Sequence, residues 1–201
     1  MRIVSLSVYK WNQENSYLLC SEMNLQDLWF YQRGVATDLI KFNARMISGR
    51  TQPGQQASIQ LEQNIGTCHC WTTHDGISAC VMTDLEYPEK AAYTLLNKII
   101  MEFRTMHGTA LPKVSADTAF SFPPLEAYLK DWQNPHEADK LLKVEKELFE
   151  VQNIVHKNLE DLLQRGEQMD ELMAKSKDLN EVSVGFYKKA KKQNESCCTI
   201  F

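Results

Sequence analysis

The sequence predicts an α+β fold: a five-stranded, mainly antiparallel sheet with flanking helices, followed by one long coiled-coil helix. Three observations carry this. Over the first 135 residues, period-two alternation and helical spacing follow one another as strand, strand, helix, three strands, two helices. Charge then divides the chain: 24 charged residues fall in the first 135 positions and 24 in the last 66. All four tryptophans and all six prolines lie in the first part. Finally, apolar residues recur in alternating steps of three and four from Asp139 to Gln193, with no proline in the stretch.

Arg2 to Lys10 alternates, with Val4, Leu6 and Val8 on one face, and reads as a strand. Trp11 to Asn15 is a polar turn, and a second strand begins at Tyr17. From about Leu25 to Ile47 the spacing becomes helical, with Tyr31, Val35, Leu39, Phe42 and Met46 along one side. Gly49 to Gln56 reads as a loop. The next strand carries Ile59 and Leu61. Gly66 to His74 and Ile77 to Thr83 then form a hairpin about an Asp75-Gly76 turn. Pro88-Glu89 opens an amphipathic helix carrying Ala92, Leu95, Leu96, Ile99, Ile100, Phe103 and Met106, and Gly108 stops it. Pro123-Pro124 starts a short helix with Leu125, Tyr128, Leu129 and Trp132. Gln133 to His136 is the linker. The expected division is 1–135, a folded domain; 136–193, a coiled-coil segment; and 194–201, a tail.

The seam of the long helix is Leu141, Val144, Leu148, Val151, Val155, Asn158, Leu162, Arg165, Met169, Leu172, Ser176, Leu179, Ser183, Phe186, Ala190 and Gln193. Eleven of the sixteen are apolar, and a lone helix cannot bury such a stripe, so partner helices are required. Arg165 interrupts it. A buried guanidinium without acceptors costs several kcal/mol, roughly. From spacing alone, Arg165 either pins the register of partner helices or snorkels to water.

Composition excludes several functions. A net charge of −4 gives no footing for nucleic acid. No run is long enough to span a bilayer, and the first residues lack a signal-peptide core, so a cytosolic protein with reduced thiols is expected. Cys68-His69-Cys70, with His74 and Cys80 near, has the wrong spacing for zinc and reads as buried thiols with a strand histidine. There is no phosphate-binding loop, nucleophile elbow or zinc-protease motif, and no catalytic group is expected.

The chain ends Ser196-Cys197-Cys198-Thr199-Ile200-Phe201, so the last four residues fit the prenylation pattern, and Phe201 leans towards geranylgeranyl. Cys197 adjoins the prenyl site as a place for palmitoylation. Lys188, Lys189, Lys191 and Lys192 precede them. One lipid gives marginal membrane binding, two give stable anchoring, and each lysine near an acidic leaflet adds ~1 kcal/mol.

These parts together resemble the lipid-anchored R-SNAREs with a longin domain, of the YKT type that lacks a transmembrane helix. The element order over 1–135 looks like a longin (profilin-like) domain. Leu163-Gln164-Arg165 and Asn158 match a synaptobrevin-type SNARE motif, and Cys197-Cys198 match a dual-cysteine lipidation signal. The resemblance implies that Arg165 forms the central ionic layer of a parallel four-helix bundle, its donors met by glutamines of three Q-SNARE helices. It implies no cofactor beyond covalent lipids. It also implies membrane fusion in ER–Golgi, endosomal and vacuolar or autophagic transport, with cytosolic and membrane pools. The terminal Phe201 departs from the methionine of many relatives and leaves the prenyl group open.

A lipid and an apolar seam are poorly tolerated in water, so a closed form is expected in which the domain covers one or both. The resemblance places a groove beside the first helix, with Phe42, Leu39 and Met46 as its residues; Phe42 as plain core is the alternative. Phosphate on Ser176 or Ser183 would oppose bundling. The competing reading of the whole chain is a lipid-anchored adaptor that scaffolds by a homotypic coiled coil, in which stacked arginines would repel.

Overall fold

The computed structural model describes residues 2–13, 15–26, 28–62, 65–134 and 154–197, with side chains as far as 191. Leu141, Val144, Leu148, Val151 and Cys198 lie outside the described residues, as do the side chains of Lys192, Gln193 and Cys197. The chain forms two compact units, one of 1–24 with 44–162 and one of 25–43 with 163–201.

In the first unit, β1 (Ile3–Lys10) and β2 (Tyr17–Met23) make an antiparallel pair with a register shift between Val8 and Tyr9. β3 (Gln56–Gln60), β4 (Thr67–Thr72) and β5 (Ile77–Thr83) follow, and β5 returns to pair with β1, Leu6 opposite Val81. The β4–β5 hairpin closes as the Asp-Gly pair requires. Gly76 takes φ +82, its N–H donates to the Thr73 carbonyl at 3.0 Å, and Thr73 N–H donates to Ile77 at 2.8 Å.

The sheet has six strands, in the order β2-β1-β5-β4-β3-β6. The sixth, β6 (Val155–Asn158), comes from the heptad segment and runs parallel to β3. This corrects the five-stranded expectation; the other four pairings are antiparallel as read. A four-residue strand with one apolar residue carries no strand signal of its own; the open edge of β3 makes it one.

One face of the sheet holds the main core. Leu6, Val8, Ile77, Ala79 and Val81 pack with Leu95, Leu96, Ile99, Ile100 and Phe103 of α2 (Glu89–His107) and with Leu125, Tyr128 and Leu129 of α3 (Pro124–Asp131). The helical periodicity of α2 dictates this: Ala92, Leu95, Leu96, Ile99, Ile100 and Phe103 of the stripe read from sequence are buried, with Ala91 and Tyr93 beside them, while Met106 is exposed. Phe103 meets Phe120 and Phe122 edge-on, with centroids 6.0 and 5.4 Å away.

On the other face, α1 (Phe30–Arg50) brings its C-terminal part against the sheet, where Cys80 Sγ donates to the Ala44 carbonyl at 3.7 Å. α1 runs through Gly49 rather than stopping before it. The burial of Ala44, Ile47 and Ser48 outweighs the helix cost of one glycine, about 1 kcal/mol. Cys68, Cys70 and Cys80 are fully enclosed. Burial pushes the Cys80 thiol well up, and that of Cys20 to about 12, so neither is a nucleophile at neutral pH.

Arg45 ties three elements together. Its Nη1 donates to the Ser16 carbonyl at 2.6 Å and to Asp117 Oδ1 at 2.8 Å, and its Nη2 to Asp117 Oδ2 at 2.9 Å. The guanidinium is buried, while the Asp117 side chain is 37% exposed. Arg45→Ala should therefore lower unfolding stability by about 2 kcal/mol, read as a shift of the urea midpoint at constant slope.

Candidate functional site

The heptad segment is the functional candidate, and in this structure it is not one helix. After β6 comes a 3-10 turn at Leu159–Leu162, then a tight turn at 164–167. α4 (Met169–Lys175) ends where Ser176 turns extended, at φ −74 and ψ 135, and α5 (Glu181–Cys197) follows. Over the described residues from 154 onward, the continuous helix expected from spacing is corrected to this broken path. The physical reason lies in what covers the stripe. A 3.5-residue repeat describes the helix when partner helices bury it. Here the chain buries residues by itself, and they are not confined to the seam: Leu159 and Met173 lie off it, while Met169 and Ser183 lie on it.

The strand end of the segment is built into the first unit. Val155 stands opposite Ala57, and Asn158 opposite Gln60. Arg50 Nη1, at the end of α1, donates to the Leu162 carbonyl at 2.7 Å, and Asn158 N–H donates to Asp161 Oδ2 at 2.9 Å. Beside β6 lies a cleft lined by Ser58, His69, Tyr87, Glu89, His156 and Asn158 among others. His156 Nδ1 stands 3.7 Å from Glu89 Oε1. Ser58 Oγ donates to the same Glu89 oxygen at 2.5 Å and lies 2.9 Å from His69 Nδ1 and 3.0 Å from the Tyr93 hydroxyl. His69 Nε2 is 3.4 Å from Thr83 Oγ1. The seam residue Asn158 thus lines the same cleft as this polar, hydroxyl-rich cluster.

The helical end has its own fastening, within the second unit. Asn180 caps α5: its Oδ1 accepts from Ser183 N–H at 2.9 Å, meeting one of the open donors of a helix start. Asp38 of α1 accepts from Ser183 Oγ at 2.7 Å and from Asn180 Nδ2 at 2.8 Å through one oxygen. Ser183 is fully buried. Lys188 Nζ approaches Asp170 Oδ2 at 3.3 Å.

The remaining expected residues fall as follows. Arg165 is exposed, on the 164–167 turn, so the guanidinium read as a bundle layer faces water in this form. Leu162, Leu172, Ser176, Leu179 and Ala190 are half-buried, and Phe186 is 48% exposed. On α1, Phe42 and Met46 are buried and Leu39 is half-buried. Phe42 lies outside the core cluster under α2 and α3. Cys68 and Cys70 share one face of β4 and His69 takes the other, and no group of side chains among the described residues is arranged to hold a metal ion.

Sequence reasoning passed over Asp38, Arg50, Glu89 and Asn180. Asn180 alone had a legible signal: an asparagine preceding Glu181 and a periodic run, the pattern of an N-cap. Asp38 and Arg50 act on residues 142 and 112 positions away, where no local pattern reaches.

A six-stranded α+β domain, continued by a heptad segment with arginine at its centre, defines a longin-domain R-SNARE. Comparison with known proteins agrees. Residues 30–129 match the regulated-SNARE-like domain family model, and residues 140–199 match the synaptobrevin family model. The synaptobrevin homolog ykt6 of Schizosaccharomyces pombe is 38% identical over 200 residues, and that of Debaryomyces hansenii 39% over 202. That of Saccharomyces cerevisiae is 37% identical over 206 residues; all three alignments span the whole of both chains. The chain belongs to the YKT6 family of synaptobrevin homologs. Its function is therefore that of an R-SNARE in membrane trafficking, through interaction with other SNARE helices, and not that of an enzyme. No helix among the described residues is long and apolar enough to cross a membrane.

The cluster under β6 sets a pH dependence. Burial holds the His69 pKa down to about 4, with the charge of His156 as the second cause. An unfolded imidazole binds its proton near 6.5, so between these values the unfolded chain holds more protons. The contribution is complete above pH ~6.5 and is lost as pH falls towards 4, up to about 3 kcal/mol. Urea midpoints taken across that window should fall with pH, and His69→Gln should flatten this component.

Proposed function

We propose that the chain is the R-SNARE (v-SNARE) that drives vesicle–target fusion by zippering with three Q-SNARE helices into a parallel four-helix bundle. The seam from Leu141 to Ala190 is the bundle interior, and Arg165 is its ionic layer, satisfied by three glutamines. The transport steps served are ER–Golgi, endosomal and vacuolar or autophagic. One observation carries the reading: Val155 and Asn158 are seam positions by spacing and sheet residues by pairing. A peptide group bonded in the β3–β6 ladder is unavailable to a helix, so the folded-back chain and the bundle exclude one another. Apolar burial of ~25 cal/mol per Å² favours the bundle when partners are present.

The chain then cycles between a folded-back cytosolic form and a membrane form. Cys198 carries the prenyl group and Cys197 the reversible palmitoyl group, with Lys188, Lys189, Lys191 and Lys192 against acidic headgroups. Zippering towards the anchored end draws the two membranes together. The face of α1 with Leu39, Phe42 and Met46 shelters the lipid in the cytosolic form, which the burial of Phe42 and Met46 supports.

Mixing the full chain with three glutamine-bearing SNARE helices tests the central part. A gain of helix on mixing and one complex of four chains are expected. Arg165→Leu should change register or disassembly while helix content stays within about a tenth of wild type. A chain indifferent to those helices, or one pairing with its own copies, supports the homotypic adaptor instead. For the sheltering role, Phe42→Glu in lipidated protein should raise the membrane-pelleted fraction severalfold with the near-ultraviolet spectrum of the domain retained. An unchanged soluble fraction in a folded variant contradicts it.

A further inference from the structure

We infer that Gly166 is the hinge that sets the balance between the folded-back chain and the bundle helix; this rests on the R-SNARE reading above. The 164–167 turn is closed at both ends. Glu167 N–H donates to the Gln164 carbonyl at 3.0 Å, and Gln164 N–H donates to Glu167 Oε2 at 2.8 Å. Gly166 is the third residue of this turn and takes φ +89. A turn with positive φ at that position favours glycine, because a Cβ there strains the backbone. Crowding has no part in this: a Cβ built on Gly166 meets no atom within 4 Å. The cost of a side chain is therefore conformational alone.

The same residue weakens the other state. In the bundle, Gly166 lies in the interior of a helix, next to the ionic layer and one step off the seam. Glycine is the poorest helix former there after proline, and a methyl at that position would gain no seam contact. The residue thus favours the turn and disfavours the helix, and both effects move the equilibrium the same way. One break in the path, beside those at Leu159–Leu162 and Ser176, falls directly after Arg165. While the turn holds, the arginine faces water, and partner helices cannot read it as part of a continuous stripe. Straightening residue 166 is the step that aligns the segment before it with the segment after it.

Full-length, unlipidated chain serves for the test, as wild type, Gly166→Ala and Gly166→Asn. Backbone hydrogen exchange at 155–158 and far-ultraviolet helix content are measured without partners. Alanine strains the turn and favours the helix. It should raise the open population, and the exchange rate at 155–158, by about tenfold to a hundredfold, with a gain of helix. Asparagine tolerates the left-handed region and is a modest helix former, so its effect should stay within about threefold. Equal exchange and helix content in Gly166→Ala and wild type overturn the hinge. So does an increase that spreads to β1 and β5, which would mean a loss of domain stability. Assembly of the wild type with glutamine-bearing helices is followed separately: its failure removes the R-SNARE reading, while the comparison in the isolated chain still decides the hinge.

Discussion

Everything in this protein turns on the fact that a backbone amide has one set of hydrogen bonds to give. Residues 155–158 pair as a strand with the edge of β3, and the heptad pattern through the same residues calls for a helix. No arrangement satisfies both. A strand edge left bare is a hazard of its own, and β3 carries neither charge nor proline to protect it. On the proposed function, the segment that covers the edge is the segment that enters the bundle.

The folded-back form is held by modest contacts spread over its length rather than by a second hydrophobic core. Arg50 meets the Leu162 carbonyl, Asp38 collects Ser183 and Asn180, and Met169 and Met173 supply buried apolar surface. Each hydrogen bond contributes on the order of 1 kcal/mol net. Such a set can be undone stepwise, and Coulombic and hydroxyl contacts near β6 add only a little more. Ile154, directly before β6, packs against the sheet core under α2 and α3.

Most of the domain was legible because its signals are local. The Asp75-Gly76 turn fixed one hairpin, and the stripe of α2 reappears as buried surface from Ala92 to Phe103, though Met106 at its end is exposed. The path of the heptad segment was illegible for the opposite reason. Val155-His156-Lys157-Asn158 has no strand character, and only the vacant edge of β3, about a hundred residues earlier, makes it one. Likewise Arg45 finds Asp117 at a separation of 72. The periodicity marks which residues would share a face in one continuous helix. It did not contain the second, folded-back solution, in which Leu159 and Met173 turn inward instead. Gly166 and Asn180 were the local hints of that solution: a weak helix position beside the seam centre, and a capping residue inside what spacing alone reads as unbroken helix.

The most direct test is the distance between Gln60 and Asn158, register partners on β3 and β6. Spin labels at these two sites should report neighbouring strands, with backbones about 5 Å apart, in the chain alone. Adding glutamine-bearing SNARE helices should lengthen that distance in step with the gain of helix. A bundle that forms while the two labels stay adjacent would contradict the account.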